Sequence, residues 1–228
     1  MKTRFALILV VTVFLSTSSG YGHDSPDSHL KPQSQKEKAS YLFGLNTGKM
    51  LHHQEVDFDL RFLLLGIEDS LSEKSPRLTQ NEIDQTMRTL RREMMTKLAE
   101  ENQKKGAAYL AKNGKKKGVI TTKSGLQYEI IKAGTGPQPS PLNKVVVHYK
   151  GTLIDGKEFD SSHRNGKPAE FPVTGVIPGW VEALQMMKKG ALWKLAIPPK
   201  LAYGANGAGH LIGPNATLLF EVELIDIK

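Results

Sequence analysis

An α+β fold is predicted: an all-α N-terminal module, a long connecting helix, and a C-terminal antiparallel sheet with one short helix lying across it. Three observations predict it. Apolar residues recur at helical spacing between residues 39 and 112; after Gly118 the segments turn β-branched and aromatic, several alternating with period two; and a single helical interval, 175–190, interrupts the strands. A sheet and a helix each carry an apolar face that needs covering, so the two pack on one another. The chain of 228 residues can hold one large domain or two ordinary ones, and its 39% hydrophobic and 24% charged residues are those of a globular protein.

At the N-terminus Lys2 and Arg4 precede FALILVVTVFL, an eleven-residue run over residues 5–15, followed by the small and polar STSSGYG. A helix that spans a bilayer needs about 20 apolar residues. A basic start, a run of this length and small residues after it fit a secretory signal over residues 1–20, cleaved near Gly20, and hence an exported protein of the periplasm, cell surface or medium. An uncleaved anchor is the competing reading. Residues 21–38, polar, proline-containing and without periodicity, read as a flexible leader.

Cysteine is absent, which removes disulfides, thiol catalysis, cysteine zinc sites and the thiol of a lipoprotein anchor. The formal charge falls from +8 to +6 with the signal, since residues 1–20 hold Lys2 and Arg4 and no Asp or Glu. The basic run KNGKKK at 112–117 could touch nucleic acid or an anionic membrane. Without interleaved aromatics a solvated hinge is preferred, and no nucleic-acid partner is expected.

Residues 39–78 form the first helical module. YLFGLNTGKMLHHQ and LRFLLLGIEDSLS have helical spacing, Asp57 is a candidate N-cap for the second, and SPRL breaks the pattern. Thr79 and Glu82 then match a capping box, so a third helix begins there. Ile83, Met87, Leu90, Met94 and Leu98 make one narrow stripe along it, and the helix, assigned to 79–117 together with the basic hinge, runs roughly 50 Å at 1.5 Å per residue. Neither this rod nor two short helices enclose a core. A second copy of the chain, giving a homodimer through the N-terminal helices, is the preferred partner; a helix packed back on its own C-terminal domain is the alternative. Met50, Met87, Met94 and Met95 could form an adaptable client-binding surface, although their spacing suits ordinary core or dimer contact.

Residues 118–228 form the C-terminal domain. SGLQYEIIKAGTG, KVVVHYKGTLIDGKEFDSS, AEFPVT, ALWKLAIPP and TLLFEVELIDIK supply its strands. Trp193, Leu195 and Ile197 share one face opposite Lys194, and Leu218, Phe220, Val222 and Leu224 share another. In the helical interval Trp180 stands directly behind Pro178-Gly179, and is open to two readings, core residue or pocket floor.

Several signals carry no chemistry. The adjacent His52 and His53 point about 100° apart on a helix, poor geometry for one metal, and no other histidines have ligand spacing. GANGAG at 204–209 has neither the glycine order of a dinucleotide turn nor a Walker lysine. Asn215-Ala216-Thr217 is formally a glycosylation acceptor, read as a turn before the last strand. No metal, cofactor or nucleophile triad is expected.

SGLQYEII, VVVHYKGTLIDGKEFDSS, VIPGW, LAYG and IGPNATLLFEVELI fall in the order, and nearly the spacing, of the FKBP-type peptidyl-prolyl cis-trans isomerases, which residues 124–228 resemble. Residues 40–118, through SYLFGLNTGKML and the long helix into KKGAAYLAKN, resemble more loosely the helical extension of the macrophage infectivity potentiator (Mip) group of that family. The resemblance implies a curved antiparallel sheet wrapping the short helix, with an apolar hollow between them. It implies catalytic roles for Tyr149, Phe159, Asp160 and Tyr203, and substrate binding by Phe171, Val176, Ile177, Trp180, Leu211, Ile212 and Phe220, with Trp180 as the floor under the proline ring. Partners so implied are proline-containing client proteins or peptides, and macrolide inhibitors of the FK506 and rapamycin type. Ala169 and Ala208 depart from the family pattern, which often has an aromatic or a histidine there.

That set suits bond rotation. An X-Pro bond prefers trans by only about 0.5–1 kcal/mol, but its barrier is about 18–20 kcal/mol because rotation breaks amide resonance. The site need only bind the twisted amide better than either planar form, at about 1.36 kcal/mol per tenfold in rate. A dry aromatic hollow disfavours the less polar twisted amide less than the planar one. By resemblance the Ile177 N–H and Tyr203 hydroxyl bind flanking carbonyls, while Asp160 bonds the Tyr149 hydroxyl and faces the substrate carbonyl. No proton is transferred, so weak pH dependence across neutrality is expected. The competing class is a chaperone or surface-binding protein in which isomerisation is incidental.

Overall fold

The computed structural model describes residues 30–53 and 56–228, so the expected signal and most of the leader lie outside the described residues. The chain divides into two compact units, residues 1–56 and 57–228. Among the described residues no helix is long and apolar enough to cross a membrane.

The first unit contains α1 (Gln35–His53), which starts inside the segment expected as leader. Its start follows from a capping arrangement: Ser34 Oγ accepts the Glu37 N–H at 3.2 Å, and Glu37 Oε2 accepts the N–H groups of Ser34 and Gln33 at 3.0 and 2.7 Å.

The second unit opens with α2 (Leu60–Leu71), capped by Asp59 rather than Asp57. Both aspartates precede the apolar run, but only Asp59 is fixed from inside the helix, accepting from Arg61 N at 2.9 Å and pairing with its guanidinium at 2.8 Å. Asp69, near the end of α2, is buried and takes Arg77 Nε at 2.5 Å, with Lys74 Nζ at 3.5 Å, which ties the turn after α2 back onto it. The helix α3 (Gln80–Asn113) opens with the expected capping box, Glu82 N to Thr79 Oγ1 at 3.3 Å and Thr79 N to Glu82 Oε2 at 2.8 Å.

The C-terminal half of α3 is not a free rod, and the basic run at its end is exposed but folded into turns. Gly114 caps the helix, and Lys115, Lys116 and Val119 donate to Lys112, Asn113 and Lys116 carbonyls in closed turns. Gln127 Nε2 donates to Leu110 O at 2.9 Å, and Asn113 Nδ2 donates to Gln127 Oε1 at 3.0 Å. For this half of α3 the alternative reading holds: the helix packs back on its own C-terminal domain.

That domain is one antiparallel sheet of β1 (Val119–Thr121), β2 (Gln127–Lys132), β3 (Lys144–Leu153), β4 (Glu158–Ser161), β5 (Ala169–Pro172), β6 (Leu192–Ile197) and β7 (Leu218–Ile227), in the order β1-β2-β6-β7-β3-β4 with β5 also on β3. One edge of β3 pairs with β7 along its whole length; the other pairs first with β5 and then with β4. Period-two burial makes the inner face: Val145, Val147 and Tyr149 from β3, Trp193, Leu195 and Ile197 from β6, and Leu218, Phe220, Val222 and Leu224 from β7.

The short helix α4 (Pro178–Met186) covers that face with Trp180, Ala183 and Leu184. Pro178 at its first turn lacks a donor that the helix could not use. Gly179 lets it approach the sheet, since a Cβ there would lie 2.5 Å from Ile197 Cγ2.

Candidate active site

Trp180 is 4% exposed, and three rings meet it nearly edge to face: Phe220 at 5.2 Å, Tyr149 at 5.3 Å and Phe171 at 6.0 Å between centroids. Phe159 meets Phe220 in the same way at 5.5 Å. Such pairs fix ring orientation beyond what burial supplies. These five aromatics, with Gly175, Val176, Ile177, Asp160 and Tyr203, line a hollow of about 380 Å³ between the sheet and the start of α4. Trp180 is therefore core and wall at once.

Each strand delivers its part by alternation. Tyr149 comes from β3, Phe159 and Asp160 from β4, Phe171 from β5 and Phe220 from β7. Gly151 pairs with Asp160 on β4 and with Phe220 on β7. A side chain at 151 would stand 2.7 Å from the Phe159 ring and 2.8 Å from Phe220 Cε1, so the bare backbone makes room for both.

At the rim Tyr149 Oη donates to Asp160 Oδ2 at 2.6 Å, and Ser161 N donates to Asp160 Oδ1 at 2.8 Å. Arg164 Nη2 lies 3.9 Å from the same Oδ1. Burial, then the bond to the Asp160 carboxylate, pushes the Tyr149 hydroxyl well above the ordinary tyrosine range. It stays a protonated donor across the physiological range. Ser162 Oγ accepts the Tyr149 N–H at 2.9 Å, and the Ser161 and Ser162 hydroxyls each lie 3.3 Å from Tyr149 O.

Ile177 is the N-cap of α4, and helix geometry leaves an N–H at that position outside the helical ladder. Tyr203, 42% exposed, borders the hollow from the loop after β6. The hollow thus presents apolar rings inside and a few fixed polar groups at its mouth, an arrangement that can hold a small apolar ring while hydrogen-bonding the peptide on either side. Among the described residues no group of three or more His, Cys, Asp or Glu could hold a metal.

Nine of the eleven sequence-predicted site residues line this hollow: Tyr149, Phe159, Asp160, Phe171, Val176, Ile177, Trp180, Tyr203 and Phe220. Leu211 and Ile212 do not. They border a second hollow of about 390 Å³ together with Met95 and Leu98 of α3. That hollow lies between α3 and the segment 206–217, and Ile212 also packs against the core. Ala169 pairs with Val147 and packs against the core, and Ala208 forms a bridge with Ile212. Sequence reasoning missed Gly151, Gly175 and the two serines. A glycine inside a strand pattern was an available signal for Gly151; Ser161 and Ser162 read as turn residues.

Residues 136–225 match the family described as FKBP-type peptidyl-prolyl cis-trans isomerase, and residues 36–130 match the domain amino terminal to it. The chain is 43% identical over 200 residues to the outer membrane protein MIP of Legionella longbeachae, covering 85% of this chain and 86% of that one. It is 38% identical over 242 positions to the FKBP-type peptidyl-prolyl cis-trans isomerase FkpA of Escherichia coli K12, covering 100% and 89%. The crystal structure of FkpA from Escherichia coli superposes with a TM-score of 0.64 at 42% identity, over 86% of this chain and 98% of that one.

Proposed function

Since the chain belongs to the FKBP-type peptidyl-prolyl cis-trans isomerases, we propose that it rotates X-Pro bonds in the hollow walled by Tyr149, Phe159, Phe171, Trp180 and Phe220. The observation that carries this reading is the ring cluster around Trp180, with the Tyr149–Asp160 pair at its mouth. The proline ring rests on Trp180. The Ile177 N–H and the Tyr203 hydroxyl hold flanking carbonyls, and the Asp160 carboxylate, pinned by Tyr149 and Ser161, faces the carbonyl of the twisting amide. Leu211 and Ile212, on the loop after Tyr203, contribute to substrate binding in this reading. Macrolides of the FK506 and rapamycin type compete for the same hollow.

The domain assignment in this reading is a signal at 1–20, a leader from 21, a dimerisation module reaching to 78, a connecting helix at 79–117 and the isomerase domain at 118–228. The protein is exported and assists folding of proline-containing clients in the periplasm or at the cell surface. A homodimer through the N-terminal helices is supported by apolar side chains left uncovered: Tyr41, Leu42 and Phe43 on α1, with Phe43 78% exposed, and Leu60, Phe62, Leu64 and Leu71 on α2, with Leu71 82% exposed. On α1 Gly44 and Gly48 add a smooth strip with open space beside it, suited to close approach of a second helix.

The same uncovered faces favour a second reading, in which the module holds apolar client segments and isomerisation is secondary. Refolding of a protein limited by proline isomerisation separates the two. Acceleration that a Trp180→Ala variant loses supports the first reading. Aggregation suppressed equally by wild type and that variant, without acceleration, supports the second.

A further inference from the structure

Three residues four apart on α3, Leu98, Asn102 and Gly106, meet the segment 213–217 that leads into β7. Asn102 Nδ2 donates to Pro214 O at 2.8 Å. A Cβ at Gly213 would lie 3.1 Å from Leu98 Cδ2, and a side chain at Gly106 would collide with the Thr217 hydroxyl. The spacing puts all three on one helix face. Gly106 is buried there, and Thr217 is 2% exposed beneath it.

This segment is the return leg of the loop that carries Tyr203. Beside Tyr203 the two legs are joined by the backbone hydrogen bond from Asn215 N to Gly204 O at 2.8 Å, and nearer the tip by the Ala208–Ile212 bridge. Asn215 takes the left-handed backbone conformation, φ 53°, which asparagine tolerates better than most residues. Pro214 and Asn215 are adjacent, as are Gly204 and Tyr203. A continuous path of two hydrogen bonds and two peptide links therefore runs from the Asn102 amide to Tyr203. The 3-10 turns at Pro199–Leu201 and Gly204–Asn206 are local, and the Ala208–Ile212 bridge lies further along the loop, away from Tyr203.

The geometry points to Asn102 as a positioning residue for the isomerase reaction, holding the Tyr203 loop from the connecting helix, with Gly106 permitting the close approach that makes the bond. The inference rests on the reading of Tyr203 as a substrate-binding group. It gives α3 a role in substrate binding that a mere tether between modules would not have. Because Tyr203 grips the peptide rather than reacting with it, loosening its loop weakens binding: KM rises while kcat changes little.

The test uses the full chain and a short X-Pro peptide, with KM and kcat measured for Asn102→Ala, Tyr203→Phe and the double variant. One lost hydrogen bond acting through position predicts that Asn102→Ala raises KM about two- to tenfold, with kcat within about twofold of wild type. In the Tyr203→Phe background the same substitution changes KM by less than about twofold, because the group it positions is gone. Gly106→Ala reproduces the rise, and Thr217→Ala added to it relieves the collision and restores KM; this pair decides the matter if Asn102→Ala does not fold. If Tyr203→Phe itself leaves kcat/KM unchanged, the reading of Tyr203 falls and takes this inference with it. If Tyr203→Phe matters but folded Asn102→Ala has the wild-type KM, or costs as much without the Tyr203 hydroxyl as with it, the positioning role alone is overturned.

Discussion

Tyr149 and Asp160 sit on neighbouring strands with the hydroxyl 2.6 Å from Oδ2, and the other carboxylate oxygen is held by the Ser161 N–H at 2.8 Å. The carboxylate is thereby fixed in direction without being buried away from a substrate. Preorganised charge of this kind acts on a reacting amide at no reorganisation cost. Asp160→Leu is expected to lower kcat/KM for an X-Pro peptide by about ten- to a hundredfold, with the fold retained. Far-ultraviolet circular dichroism beside the rate measurement checks both parts.

The same pair sets an alkaline signature. The Tyr149 hydroxyl loses its proton at a higher pH in the folded chain than in the unfolded one, whose tyrosines titrate near about 10. A raised folded value contributes stability that is fully present below the unfolded value and is lost as pH rises beyond it. Denaturant titrations should therefore give wild type a steeper loss of stability above about pH 10 than Tyr149→Phe. Equal slopes would mean that the hydroxyl is not held as described.

Asp69 supplies the acid-side counterpart. The bond and charge of Arg77, with Lys74 adding and partial burial opposing, hold its carboxyl below the usual aspartate range. A depressed value contributes stability that is present above the unfolded value, about 3.9, and disappears as pH falls through the folded one. Asp69→Asn should flatten the loss of stability below pH about 4, and weaken the link between α2 and the turn that leads to α3 at neutral pH. Thermal melts at pH 3 and 7 check this.

Gly151→Ala places a methyl group against the Phe159 and Phe220 rings. Overpacking of that kind costs about 1–3 kcal/mol. Because the displaced rings wall the hollow, affinity for a proline peptide or a macrolide should fall in parallel. Trp180 fluorescence in a Trp193→Phe background reads the binding, since the chain has two tryptophans.

Most of the sheet was legible because its inner face alternates with period two, as in Trp193, Leu195 and Ile197 opposite Lys194. The start of α3 was legible because Thr79 and Glu82 carry both halves of a reciprocal cap. Ser34 and Glu37 carry the same signature, and with it α1 begins at Gln35, ahead of its first apolar residues. The docking of α3 was not legible. Gly106 in a helix interior signals a close approach but not what approaches, and only the turn at 213–217, distant in sequence, gives it and Asn102 a partner. For the same reason the hollow that Leu211 and Ile212 border with Met95 and Leu98 was not legible.

Sedimentation of residues 21–228 against 79–228 tests the dimer. The shorter chain keeps the residues of α3 that bind the sheet domain and lacks α1 and α2 with their uncovered apolar side chains. The longer chain should run as a dimer and the shorter as a monomer. Two monomers would remove the dimer from this account.

The central claim is that the ring-walled hollow rotates X-Pro bonds through binding and fixed charge. It is tested most directly by the cis-to-trans exchange rate of a short X-Pro peptide with the full chain, wild type beside Asp160→Leu and Tyr203→Phe, at several pH values across neutrality. The account predicts strong acceleration by wild type, diminished by each substitution and nearly flat with pH. A folded wild-type chain that leaves the exchange at its uncatalysed rate, or a bell-shaped profile with losses near neutrality, would contradict it.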